Sequence, residues 1–200
     1  MADDSFGKRQ ATIATLTDQL AAFLNDVGIA HYFAFAGLDK QRADVEEMIR
    51  MSAEAGNDDP DVFAGIGSPA SAQWAPYLTG SLKTILADLA PRGKVSDLLG
   101  QMWIVVVFTA WESHYRAAIA AAAGVATDEL SWPAMGDLRR MRHDVVHHRG
   151  VATERGTGRC ELLKWGTPGE VISVGPPHVA RFSQLTAERI RRWTRGDFAA

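Results

Sequence analysis

One long apolar segment constrains the fold of this chain more than any other feature. It runs from Met102 to Trp111, ten consecutive residues of which nine are apolar. Ser96 is suited to cap a helix that contains this segment, and Gly124 is suited to terminate it. Because a helix that is apolar on every side has to be buried, we predict a central helix over residues 96–123. The segment is much shorter than the roughly 20 apolar residues of a membrane span.

Other helical patterns surround this segment. They predict helices over residues 8–26, 39–54, 74–90 and 183–193. Gly28 is expected to close the first of them, and the apolar residues 29–36 fit either a strand or a helical turn. Residues 57–71 are rich in Gly, Pro, Asp and Ser, which predicts a long surface loop.

A small β-hairpin is predicted near the C-terminus. Residues 161–165 and 170–174 are short runs that suit strands, and a Gly-Thr-Pro-Gly turn separates them. The predicted fold class is therefore mainly α, a helical bundle with one small β-hairpin near its C-terminus.

Composition narrows the classes of protein that this chain can represent. Its 200 residues suit a single domain over residues 1–200, with 72–195 as the core bundle and 1–70 as a candidate N-terminal elaboration. The net charge of −3 argues against a basic coat for nucleic acid but is compatible with a local cationic site. The single Cys160 excludes an internal disulfide and a multi-cysteine zinc site. The N-terminus shows no basic-then-apolar signal pattern, so we expect a cytoplasmic protein.

The segment from Leu138 to Gly150 concentrates the side chains that can do chemistry. It holds three of the six histidines and four arginines within thirteen residues. At helical spacing, His143 and His147 lie one turn apart opposite an apolar face, with Arg142 on the flank. The apolar face comprises Leu138, Met141 and Val145. Gly150 is predicted to end this helix in the left-handed conformation.

The same segment resembles a known family. Residues Arg142 to His147 are similar to the Arg-x(4–6)-His motif of the HEPN family, the higher eukaryotes and prokaryotes nucleotide-binding domains. His143 stands at the polar position after the arginine, where Asn or Asp is more usual. The helix Trp103–Arg116 resembles the long HEPN helix that ends in an aromatic-Glu pair followed by Tyr and Arg. The resemblance covers residues 80–195.

This resemblance implies a helical bundle that cleaves RNA without a metal or another cofactor. It marks Arg142 and His147 as catalytic and gives His143 a role in positioning the substrate or His147. A histidine that titrates near pH 7 suits proton transfer, and an arginine suits stabilisation of the phosphorane. The 2′-hydroxyl of RNA supplies the nucleophile, so DNA is expected to be spared. The resemblance also implies a homodimer, a role as a toxin or in antiviral defence, and an antitoxin protein partner. The shortness of the apolar run Met102–Trp111 predicts that the protein does not associate with a membrane.

Glu112 has two interpretations. At the i,i+4 spacing it can form an ion pair with Arg116, which is the ordinary arrangement on a helix surface. Alternatively it reaches the motif helix and supports catalysis by orienting Arg142 or His147.

Two other functions remain open from the sequence. The His-x3-His spacing of His143 and His147 can hold one metal ion on a helix, with Asp144 where zincin hydrolases have a glutamate. Glu154 and His178 are weak candidates for a third ligand, and Glu112 or His114 could serve only if the helices pack suitably. The third function is that of a non-catalytic HEPN-like binding or scaffold module.

Overall fold

The structure is a computed structural model that describes residues 2–66 and 75–198. Its regular elements, in chain order, are α1 (Ala2–Glu54), β1 (Asp61–Ile66), β2 (Ala75–Ser81), α2 (Leu82–Asp88), α3 (Lys94–Ala110), a π-helical turn (Trp111–Tyr115), α4 (Arg116–Ala123), α5 (Pro133–His147), a 3-10 turn (Thr157–Arg159) and α6 (Pro176–Trp193). The predicted class, mainly α with one small β-hairpin, is confirmed. The chain divides into two compact units, one formed by Met1–Phe33 with Asp97–Ala200 and the other by Ala34–Ser96.

The N-terminal region forms one helix rather than the two that were predicted. Helix α1 continues through Gly28, which therefore does not close it, and through the ambiguous residues 29–36. Leu20 and Leu24 on one side of the glycine are buried, and so is His31 on the other. A Cβ at Gly28 would lie 3.6 Å from Val179 Cγ1 of α6, so this glycine lies where two helices approach closely. Packing on both sides of Gly28 overrides its local tendency to end a helix.

The hairpin lies in a different place from the one predicted. Strands β1 and β2 pair antiparallel, with an irregularity between Ala64 and Gly65. The predicted loop over 57–71 is thus wrong for 61–66, while its residues 67–71 lie outside the described part of the chain. The predicted helix over 74–90 is wrong for 75–81 and right for α2, and Trp74 lies outside the described residues. Side chains from α1, α2 and the segment after it form the core of the second unit, with Val45, Leu82 and Leu89 buried.

No hairpin forms over residues 161–165 and 170–174, and the only pairing nearby is an isolated bridge between Val151 and Val171. The physical reason is visible at the first of these runs. The backbone N–H groups of its first three residues, Glu161, Leu162 and Leu163, all donate to one carboxylate, that of Asp137. The apolar character of these runs reflects burial instead of strand pairing, since Leu163, Ile172 and Val174 are fully buried.

The first unit has a tryptophan-rich core. The indole rings of Trp111 and Trp193 stack with centroids 5.8 Å apart, and Trp132 meets both edge-on. Trp132 immediately precedes α5 and is buried, so this cluster anchors the start of the motif helix. Helix α3 supplies four buried residues to the core, Trp103, Ile104, Val107 and Phe108, and the π-helical turn that follows it adds Trp111.

Burial of α3 on every side was predicted, and that prediction is wrong for one stripe. Three apolar residues spaced four positions apart remain exposed: Leu98 by 56%, Met102 by 54% and Val106 by 44%. Helical periodicity places them away from the buried face. Within the described residues, none of the helices has the length and apolar character that crossing a membrane requires.

Candidate functional site

The motif helix α5 is defined sharply at both ends. Pro133 occupies its first turn, where a missing N–H costs nothing. At its other end, the carbonyl of Asp144 accepts hydrogen bonds from the N–H groups of His148, at 2.8 Å, and Gly150, at 3.2 Å. Both Arg149 and Gly150 adopt positive φ, 55° and 77°. Gly150 takes the predicted left-handed conformation, and a Cβ there would collide with the Gln101 side chain.

The two histidines of the motif lie as the helical spacing predicted. His143 and His147 are both exposed, with ring centroids 4.7 Å apart. His148 is a third exposed imidazole, 5.5 Å from the ring of His143. Two neighbouring imidazoles open to solvent can act as a proton acceptor and a proton donor on one bound molecule.

Arg142 has a different environment from the histidines. Its side chain is half-buried, and its Cζ lies 5.9 Å from the centroid of the Phe108 ring on α3. Its Nε is buried, and among residues 2–66 and 75–198 the structure gives that atom no hydrogen-bond partner. Within one chain, Arg142 is therefore held against α3, and no hydrogen bond among the described residues joins it to His147.

Glu112 lies in the π-helical turn and forms the ion pair expected from its spacing. Arg116 Nη1 lies 3.2 Å and 3.3 Å from the two carboxylate oxygens of Glu112. In the described part of the chain, no hydrogen bond connects Glu112 with Arg142 or His147.

Two aspartates of α5, Asp137 and Asp144, were missed as organising residues by the sequence analysis. They lie two helical turns apart and are 1% and 0% exposed. Asp137 binds three backbone N–H groups of the segment 161–163 and also pairs with Arg140, whose Nη1 is 2.9 Å from Asp137 Oδ1. The sequence does contain a pattern that could have predicted this role. The two aspartates are seven residues apart and flank the apolar face of the helix, and the segment that follows is rich in Gly and Thr, whose backbone N–H groups need hydrogen-bond acceptors.

Asp144 holds the loop that follows α5. Its Oδ2 accepts hydrogen bonds from the N–H groups of Thr153, at 2.9 Å, and Thr157, at 2.7 Å, while its Oδ1 accepts from the Thr153 hydroxyl at 2.8 Å. Burial alone raises the pKa of Asp144, but the hydrogen bonds donated by Thr157 and Thr153 outweigh burial and lower the pKa below its ordinary value. The loop from Thr153 to Thr157 is thereby fixed beside the exposed face of α5.

The environment of Asp144 bears on the hypothesis that the histidines of α5 hold a metal ion. Ligand atoms of His143, Asp144 and His148 lie within 4.8 Å of one another, which is compatible with a metal ion. Asp144, however, is fully buried and already accepts three hydrogen bonds, so it does not occupy the position of an exposed general base. His178, one candidate for a further ligand, instead accepts a hydrogen bond from the N–H of Gly175 at the start of α6.

Gly156 is expected to be intolerant of a side chain because a Cβ at this position would overlap the Asp144 carboxylate. Gly156→Ala should lower the free energy of unfolding by about 2 kcal/mol, the usual cost of overpacking. Urea denaturation followed by circular dichroism measures this loss. Gly136→Ala is the matched control, because a Cβ there meets nothing within 4 Å. An unchanged stability of Gly156→Ala would show that the Asp144-bound loop is not tightly packed.

A cleft of about 400 Å³ lies between the exposed face of α5 and this loop. Its lining residues are Gly136, Arg139, Arg140, His143, Arg155 and Gly156. Four of these six carry a cationic or titratable basic side chain, and none is acidic. The arginines of α5 belong to the segment identified from the sequence, whereas Arg155, eight residues after His147, was not predicted to join them.

Comparison of the chain with models of known families, with curated proteins and with solved structures found no match.

Proposed function

We propose that this protein is a metal-independent endoribonuclease in which His147 and Arg142 are the catalytic residues and His143 positions the substrate or His147. The observation that carries the proposal is the pair of exposed imidazoles, 4.7 Å apart, at the border of an arginine-lined cleft. The resemblance of residues 142–147 to the HEPN motif supports the same assignment.

The proposed reaction is a transesterification within the RNA. The 2′-oxygen attacks the adjacent phosphorus as His147 accepts the hydroxyl proton, and the bond from phosphorus to the 5′-oxygen breaks. The imidazole of His147 in the facing copy of the proposed homodimer donates a proton to that leaving oxygen. The products are a 2′,3′-cyclic phosphate and a 5′-hydroxyl, so atoms and protons balance without water or metal.

Arg142 is assigned the stabilisation of the negative charge that develops on the phosphate oxygens. Its Cζ already lies 5.9 Å from the centroid of the Phe108 ring, and a side chain positioned before a phosphate binds loses less entropy on binding. In keeping with the HEPN resemblance, the proposal includes a homodimer, in which the motif of a second copy completes the site. It also includes a cytoplasmic role as a toxin or in antiviral defence, with an antitoxin as partner.

A non-catalytic binding module is the second candidate, and one observation favours it. Arg142 packs on Phe108 and has no hydrogen bond to His147 in the described part of the chain. A metal-dependent hydrolase built on His143 and His147 is the third, less favoured by the burial of Asp144.

One cleavage assay separates these functions. Purified protein is incubated with a single-stranded RNA and with the same sequence in which every sugar is 2′-deoxy, each with and without EDTA. Our proposal predicts that the RNA is cleaved equally with EDTA and that the 2′-deoxy strand stays intact. Cleavage lost in EDTA would instead support the metal site, and intact RNA throughout would support the binding module.

A further inference from the structure

Three arginines line the cleft beside α5, and two of them have no acidic partner in the described part of the chain. Arg139 and Arg155 are exposed, and within residues 2–66 and 75–198 no hydrogen bond or ion pair engages either side chain. Arg140 differs, because its Nη1 lies 2.9 Å from Asp137 Oδ1, and in the described part of the chain no further hydrogen bond engages the other donors of its guanidinium. Like charges gathered around a cleft repel one another, and this repulsion is relieved when an anion binds between them.

The cleft is also fixed before any ligand arrives. Arg155 lies between Thr153 and Thr157, the two residues whose backbone N–H groups are bound by Asp144. The N–H of Gly156 donates to the Thr153 hydroxyl at 3.0 Å, which further limits the backbone beside Arg155. A buried carboxylate thus holds the loop that presents Arg155 toward α5. Because the loop is already ordered, less conformational entropy is lost when a ligand binds.

Gly136 adds an independent observation. It lies in the first turns of α5 with an ordinary helical backbone, where glycine destabilises a helix by roughly 0.5–1 kcal/mol relative to alanine. A Cβ at Gly136 would meet no atom within 4 Å, so protein packing does not require a glycine there. The missing side chain instead keeps the floor of the cleft open.

We propose that this cleft binds a phosphodiester of single-stranded RNA through Arg139, Arg140 and Arg155, next to the phosphate that is cleaved. The arginine guanidinium donates paired N–H groups that match phosphate oxygens. His143 lines the cleft and its ring lies 4.7 Å from that of His147, so an RNA backbone held here passes directly to the reactive histidine pair. The inference rests on the proposed ribonuclease function, to which it adds a substrate-binding subsite.

The test measures binding separately from cleavage. A fluorescent single-stranded RNA with 2′-O-methyl sugars cannot supply the nucleophile, so the full-length protein binds it without cutting it. Arg139→Ala and Arg155→Ala should each weaken binding roughly tenfold, the effect of losing a charged hydrogen bond. Each should also reduce the slope of log affinity against log salt by about 0.7, the value for one phosphate contact on a single strand.

Two further variants keep this test decisive. Gly136→Glu places a carboxylate in the cleft where space is open, and it should weaken binding by roughly tenfold or more without lowering the melting temperature. Arg181→Ala on α6 is the matched control, since Arg181 is an exposed arginine that does not line the cleft, and its affinity should equal that of the wild type.

The outcomes separate this subsite from the proposed function. Loss of affinity in the three cleft variants, with Arg181→Ala unchanged, supports the subsite even where unmodified RNA is not cleaved. The subsite is overturned if the cleft variants bind like the wild type, or if the wild type binds no RNA. Competition by millimolar inorganic phosphate alone, with RNA affinity insensitive to the cleft variants, would overturn it in favour of a site for free phosphate.

Discussion

Replacing His147 by alanine should lower the rate of RNA cleavage by about two to four orders of magnitude, the usual contribution of a general acid or base. The expectation follows from the exposed position of His147 beside His143, where it can exchange a proton with a bound ribose or leaving oxygen. Initial rates on one defined RNA oligonucleotide, at saturating protein and in EDTA, measure the effect. His148→Ala is the matched control, because His148 is an exposed imidazole one residue away that has no assigned role.

Variants of Arg142 test the stabilisation of the negative charge on the phosphate. Arg142→Ala should reduce the cleavage rate by about two to three orders of magnitude, while Arg142→Lys retains the charge and recovers part of the rate. Both variants need a melting-temperature measurement, since the Arg142 guanidinium lies over the Phe108 ring. Full activity in His147→Ala or Arg142→Ala would remove these residues from the mechanism.

The second large effect is on stability. Asp144→Asn should lower the free energy of unfolding by about 3 kcal/mol, because it removes a buried charge that accepts three hydrogen bonds and places an NH₂ group among the donors. Chemical denaturation at pH 7 measures this loss. Glu154→Gln, an exposed carboxyl in the same loop, is the control and should leave stability unchanged.

The effect of Asp144→Asn should depend on pH in one direction. Because the pKa of Asp144 is lower in the folded than in the unfolded protein, its ionised form stabilises the fold above the unfolded-state pKa of about 3.9. The difference between wild type and Asp144→Asn should therefore be full near neutral pH and shrink as the pH falls below about 4. A difference that is constant from pH 7 to pH 3 would contradict the assignment of the hydrogen bonds to the charged carboxylate.

Local periodicity predicted the existence of the motif helix and of the central helix, but α5 begins earlier than predicted, at Pro133, and a π-helical turn over Trp111–Tyr115 interrupts the central helix. Helix α5 has its apolar residues at helical spacing, with Leu138 and Met141 fully buried, and its histidines face outward. Gly124 ends α4 at φ 72°, as expected for a left-handed terminator. These features depend on interactions between residues a few positions apart, and a local sequence pattern can predict structure directly over that range.

The failures arose where distant residues decide the structure. Gly28 is tolerated within α1 because residues on both sides pack into the core, and Val179, far along the chain, lies against it. The predicted C-terminal hairpin does not form because Asp137, on another element, takes the N–H groups of the segment 161–163. Neither contact leaves a periodic pattern near the residues that it controls.

The residues of the candidate site fall into the same two groups, those that a local pattern predicts and those that depend on distant packing. His143 and His147 were found from their spacing on one helix. Arg155 was not, because it joins the cleft only through the loop that Asp144 folds back onto α5. The orientation of Arg142 onto Phe108 likewise depends on how α3 packs against α5, which the sequence pattern does not specify.

The chemical ends of the RNA fragments test the central claim most directly. Wild-type protein is incubated with a defined RNA in EDTA, and the products are identified by mass spectrometry. Metal-independent transesterification at the His147 site predicts fragments with a 2′,3′-cyclic phosphate and a 5′-hydroxyl. Fragments that carry a 5′-phosphate and a 3′-hydroxyl, or RNA that remains intact, would contradict it.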